Sequence, residues 1–160
     1  MFEWWRIDVN DNLEEIISIS DDDKCMEFLY DEIESITNLM ISDNLCSEYP
    51  ISMIDFSRYD KLYNIEIGDD NFDYVSVFRM DGLNDLKSLI IGKNSFRMND
   101  GNDDYRSFDV MNCDELESIE IGMNSFVDYN EFELRNLSHL SIIKIGNSGY
   151  DCIHFYWSLW

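Results

Sequence analysis

Apolar side chains recur along most of the chain at fixed offsets that end on the dipeptide Ile-Gly. The dipeptide stands at Ile67-Gly68, Ile91-Gly92, Ile121-Gly122 and Ile145-Gly146, at spacings of 24, 30 and 24 residues. One copy runs Leu83, Leu86, Leu89, Ile91 and continues to Asn94 and Phe96; the next runs Cys113, Leu116, Ile119, Ile121, Asn124 and Phe126. Leu137, Leu140, Ile143 and Ile145 form a later copy, and Tyr59, Leu62, Ile65, Ile67 and Phe72 an earlier one. Two weaker copies precede these. Ile33, Ile36, Leu39, Ile41 and Asn44 fit with Ser42 in the glycine slot and Cys46 in the phenylalanine slot, whereas Ile17 and Ile19, followed by Asp22, fit the centre alone. Repeats therefore begin near residues 11, 33, 59, 83, 113 and 137 of a single domain over 1–160, with residues 1–10 as an N-terminal cap.

Within each copy the apolar residues before Ile-Gly alternate with polar ones, as a strand buried on one face requires. One such strand cannot cover its own apolar face. The copies must therefore stack into a parallel sheet with a shared core. The second half of each copy is patterned too: Phe126, Tyr129, Phe132 and Leu134 align with Phe72, Val75, Phe78 and Met80. Aromatic bulk at alternate positions favours extended backbone, so short strands or single 3-10 turns are expected there, with little long helix. Alanine is absent from the chain, which also argues against a helical bundle. The longer copy carries extra residues around Asn99 to Asp104, read as a surface loop.

The register resembles the leucine-rich repeat, with its LxxLxLxxN/CxL pattern, over nearly the whole chain. Ile often replaces Leu, Phe fills the last slot, and Asp70 and Ser148 stand in the Asn slot of two copies, where weaker turns are expected. The resemblance implies an α/β-type leucine-rich-repeat solenoid, a horseshoe with its parallel sheet on the concave face. Asn94 and Asn124 are expected to point inward and satisfy turn backbone as an asparagine ladder. The resemblance also implies binding at exposed positions of the concave strands. These include Met40, Tyr63, Glu66, Lys87, Ile90, Glu117, Glu120, Ile142 and Lys144. A central line of Ser18, Met40, Glu66, Ile90, Glu120 and Lys144 mixes apolar groups with both charges, a composition suited to a protein partner.

Charge narrows the partner. The formal net charge of −23 disfavours nucleic acid and anionic membranes, which need a basic surface. It does not single out the groove. Seven acids there (Glu15, Asp21, Asp43, Glu66, Asp69, Glu117, Glu120) face three lysines (Lys87, Lys93, Lys144), close to the proportion in the whole chain.

Other chemistry is sparse. No P-loop, dinucleotide fingerprint, zinc spacing or nucleophilic site is assembled, and His139 and His154 lie apart, with His139 at an exposed slot. Neither catalysis nor a cofactor nor a metal is expected. The acidic runs Asp21-Asp22-Asp23, Asp69-Asp70 and Asp100 to Asp104 offer oxygen ligands but miss EF-hand spacing. Cys25, Cys46, Cys113 and Cys152 show no CxxC, and Cys46 and Cys113 occupy core slots, so reduced, buried thiols are expected. The sequence shows neither a secretory leader nor an apolar run long enough to span a bilayer, so a cytoplasmic protein is expected unless the chain was cut from a longer secreted one. Phe155, Tyr156, Trp157, Leu159 and Trp160 form an aromatic terminus. The expected function is thus a protein-interaction module. The alternative is a self-assembling structural protein joined end to end through that terminus.

Overall fold

The computed structural model describes residues 5–9, 12–30, 36–47, 51–97 and 105–146, with backbone alone for 5–9 and 12–15. In chain order the elements are β1 (Trp5–Val9), β2 (Asn12–Ile19), α1 (Asp22–Tyr30), β3 (Asn38–Ile41), β4 (Met53–Asp55) and β5 (Asn64–Ile67). There follow β6 (Val77–Asp81), β7 (Ser88–Ile91), β8 (Ser107–Met111), β9 (Ser118–Ile121), β10 (Glu131–Arg135) and β11 (Ile142–Ile145). From β3 onward the chain alternates between two sheets. One is seven-stranded, in the order β1-β2-β3-β5-β7-β9-β11; the other is four-stranded, β10-β8-β6-β4. Among the described residues all pairings are parallel except that of β1 with β2. The fold is a parallel β-solenoid, and no described helix is long and apolar enough to cross a membrane.

The pairing register repeats the sequence register. Ile17, Leu39, Ile65, Leu89, Ile119 and Ile143 stack as one inward column, and Ile19, Ile41, Ile67, Ile91, Ile121 and Ile145 as the next. Phenylalanines fill the space between the sheets. Phe72, Phe96 and Phe126 stack at ring separations of 5.1 and 4.7 Å, and Phe78, Phe108 and Phe132 at 5.0 and 5.1 Å. The two columns meet edge to face, as in Phe78–Phe96 at 5.4 Å and Phe108–Phe126 at 4.9 Å. Both geometries suit the aromatic quadrupole, and each pair adds roughly 0.5–1.5 kcal/mol beyond burial.

An α/β alternation is not what the second layer contains. It is built of strands, because Phe78 and Met80, like Phe108 and Val110, are buried at a period of two. Helix is confined, among the described residues, to α1 in the first turn of the coil, where Cys25 and Phe28, three apart, supply the buried face. Asp21 caps its N-terminus, accepting from the Lys24 amide at 2.9 Å. Its last carbonyls, on Phe28 and Leu29, accept from the Arg58 guanidinium at 3.1 and 2.9 Å.

Two expectations about the turns need correction. Cys25 and Cys46 are not free thiols but a disulfide that fastens α1 to the turn after β3; Cys113 is free and buried, and Cys152 lies outside the described residues. The asparagine column exists, but it does not face inward to the backbone. Asn94 donates to the Asp70 carboxylate at 3.0 Å and Asn124 to the Asn94 side chain at 3.4 Å, both half-buried. The buried work falls one residue later. The Leu45 amide donates to the Asn71 side chain, the Asn71 amide to Ser95 Oγ, and the Ser95 amide to Ser125 Oγ, at 2.7, 3.2 and 3.1 Å. Positive φ at Asn94 and Phe96, both 57°, swings the intervening Ser95 inward. Asp70 keeps the same conformation, with φ 56°, so its turn follows those of its neighbours. Ser148 and the loop from Asn99 to Asp104 lie outside the described residues.

Candidate functional site

The outward side of the seven-stranded sheet gathers the residues selected by the repeat register. Ser18, Met40, Glu66, Ile90, Glu120 and Lys144 are successive register partners across β2, β3, β5, β7, β9 and β11. Beside them runs a second column of Ile16, Asn38, Asn64, Ser88, Ser118 and Ile142. A third column, at the entrance to the strands, holds Thr37, Tyr63, Lys87, Glu117 and Ser141. Backbone bonds hold it in step: the amides of Tyr63, Lys87, Glu117 and Ser141 each donate to the carbonyl of the preceding member.

Inward residues of these strands are apolar, and buried from β2 to β9, so the intervening positions project outward without choice. Met40, Tyr63, Ile90 and Ile142 are 46, 47, 39 and 44% exposed. Glu66, Glu117 and Lys144 are exposed as well, while Lys87 and Glu120 are half-buried. The nine residues singled out thus form one surface, with Tyr63, Lys87 and Glu117 along its margin.

Each of the three lysines of this surface is paired with an acid, and the acids remain in excess. Lys144 meets Glu120 at 2.7 Å, Lys93 meets Asp69 at 3.2 Å, and Lys87 meets both Glu115 at 2.5 Å and Glu117 at 3.3 Å. Hydrogen bonding to Glu115 holds the Lys87 ammonium above its ordinary pKa, and the same bond holds the Glu115 carboxyl below the usual carboxylate range. Glu66 is different: among the described residues nothing donates to it.

A shallow cleft of about 300 Å³ opens here, lined by Ile16, Asn38, Leu39, Met40, Asn64, Ile65, Glu66, Ser88 and Ile90. Asn64 donates to Asn38 at 2.9 Å and Ser88 to Asn64 at 2.7 Å, giving the cleft a polar row alongside the row of Met40, Glu66 and Ile90. Sequence reasoning placed Asn38, Asn64 and Ser88 at outward positions, but only the register of the strands shows them bonded into a row.

A second cleft, of about 280 Å³, lies where α1 meets the four-stranded sheet, with Phe28, Tyr30, Met53 and Arg58 among its lining. The sequence reading missed it because it missed α1. Asp21 as a cap, acids at Asp22 and Asp23, and apolar Cys25 and Phe28 one turn apart were the available signal.

Metal chemistry has no assembled site among the described residues, where no three His, Cys, Asp or Glu side chains converge. The acidic runs have other partners. Asp22 accepts from the Cys46 amide at 2.6 Å, Asp69 from the Lys93 amide at 2.8 Å, and Asp70 from Asn94. His139 is exposed, with Nδ1 2.6 Å from the Asp114 carbonyl. His154, the loop carboxylates from Asp100 to Asp104 and the aromatic terminus lie outside the described residues. The chain matches no known protein family, no characterised protein and no solved structure.

Proposed function

We propose that this chain is a non-catalytic interaction module that binds a partner protein on the outward side of its seven-stranded sheet. One observation carries the reading: Met40, Glu66, Ile90 and Glu120 stand in consecutive register on paired strands, and the first three line a cleft together with the polar Asn38, Asn64 and Ser88. Such a surface offers apolar contact with polar orientation, the mixture found at protein interfaces. Its inner strands are paired on both sides, so little backbone ordering cost falls on this side of a complex. We read the repeat itself as leucine-rich, with the binding side as the concave one; the Leu83, Leu86, Leu89, Ile91 register supports this. Strands rather than helices on the other side fit the Phe-x-Leu and Phe-x-Met words of this sequence.

The test is capture of partners from the source lysate by the tagged chain and by a variant with Glu66, Ile90, Glu120 and Lys144 all replaced by serine. A control variant carries Arg79→Ser and Glu133→Ser on the other sheet. A protein retained by wild type and control but lost from the folded quadruple variant supports the reading. A partner held equally by all three refutes it.

A second reading, self-association at the C-terminal end, has its own observation. Ile143 and Ile145 are 49 and 40% exposed, whereas their register partners Ile119 and Ile121 are 0 and 3% exposed. Contiguous apolar surface at the edge of a parallel stack favours a further layer. Light scattering of Ile143→Lys beside wild type decides it. Oligomers lost in the variant support self-association, and a wild-type monomer at high concentration excludes it.

A further inference from the structure

We infer that the cleft beside β3, β5 and β7 seats a lysine or arginine side chain of the partner polypeptide, with its charge on Glu66 and its stem between Met40 and Ile90. This rests on the reading that the outward side of the seven-stranded sheet is the binding surface, and it names the chemistry the surface selects.

Three observations point to that occupant. The lysines of the surface are already engaged: Lys87 with Glu115 and Glu117, Lys93 with Asp69, and Lys144 with Glu120. Among the described residues Glu66, at the centre, has neither an ion pair nor a hydrogen bond, whereas Asp43, also without a cation, accepts from the Asp69 amide at 2.8 Å, so Glu66 is the acid left unengaged. Its register neighbours on either side, Met40 and Ile90, are both apolar and exposed.

A long basic side chain fits this arrangement better than a small ion does. Lysine and arginine lay an aliphatic stem on apolar surface while keeping the charged head at a polar group. Met40 and Ile90 offer the stem its surface, Glu66 takes the head, and the Asn38–Asn64–Ser88 row offers donors and acceptors to neighbouring peptide groups. A volume of about 300 Å³ holds one such side chain with room at its flanks. A lone carboxylate is a poor cage for a metal, which needs several oxygens. The net charge of −23 acts in the same direction, drawing basic surfaces in and turning acidic ones away.

The experiment pans a display library of random dodecapeptides against the full chain and measures the enriched peptides by fluorescence anisotropy. The result expected is a lysine or arginine flanked by apolar residues, with binding weakened about fivefold by Glu66→Gln. Glu66→Lys should abolish binding, and exchanging the peptide's base for glutamate should restore it on that variant. Enriched peptides that lack a base, or are indifferent to Glu66→Gln yet lost on the quadruple serine variant, overturn the cation seat and leave the binding surface standing. Peptides unaffected by the quadruple variant, or no enrichment by a chain shown folded by circular dichroism, overturn both.

Discussion

The Tyr129 hydroxyl donates to the Val75 carbonyl at 2.5 Å, joining residues 54 apart in sequence. The two hold the same slot of their repeats, two copies apart, so the bond spans the copy that carries the insertion. Tyr129 is fully buried and meets Phe126 edge to face at 4.9 Å, which fixes the ring as well as the hydroxyl. A tyrosine in a valine slot is thus a brace through the core.

Tyr129→Phe should keep the packing and leave the Val75 carbonyl without its donor, at a cost of about 1–3 kcal/mol. Denaturant unfolding measures this; an unchanged midpoint would show the bond to be immaterial. Burial pushes the Tyr129 phenol well above its ordinary pKa. The folded value exceeds the unfolded one, so the resulting stability is complete below the ordinary tyrosine pKa of about 10 and is lost as pH rises beyond it. Spectrophotometric titration should show one tyrosine ionising only as the chain unfolds in alkali.

The Cys25–Cys46 disulfide closes a separation of 21 residues. Reducing it should lower stability by about 3 kcal/mol on the chain-entropy account, mostly by loosening the unfolded state. Cys25→Ser with Cys46→Ser should reproduce the loss. Wild type that is equally stable with and without reductant would show that the pair is not bonded. Burial raises the Cys113 thiol, so it should resist alkylation in the folded chain.

At Gly92 and Gly122 the glycine of Ile-Gly is required for space. A Cβ at Gly122 would overlap the backbone of Gly92 and Lys93, whereas at Gly68 the nearest obstacle is the Asp43 side chain. Gly122→Ala should therefore destabilise by about 1–3 kcal/mol, and by more than Gly68→Ala. Thermal melts of the two variants check the order, and the reverse order would contradict the close stacking of the turns.

Much of this was legible in sequence because a solenoid repeats its environment. Ile65 and Ile67, like Leu89 and Ile91, announce strand and inward face together, and the pairing register then follows from the repeat. Features that occur once were not legible. Helix α1 has no second copy among the described residues to average against, and spacing alone does not tell which cysteines meet. The ladder is ambiguous by one residue in sequence, since Asn94 and Asn124 recur as plainly as Ser95 and Ser125. Only the positive φ values at Asn94 and Phe96 show which of the two turns inward. For the binding surface, sequence supplied the outward positions but not the pairing of Lys87 and Lys144 with acids, nor that Glu66 has no bonded partner among the described residues.

Two methionines offer a direct test of where a partner sits. Met40 is 46% exposed on the seven-stranded sheet, and Met53 is 55% exposed on the four-stranded one. Mild peroxide oxidation of the chain, alone and with a captured partner, can be followed by mass spectrometry at both residues. Binding on the proposed surface predicts that the partner slows oxidation of Met40 and leaves Met53 unchanged. Protection of Met53 with Met40 still reacting at its free rate would contradict it.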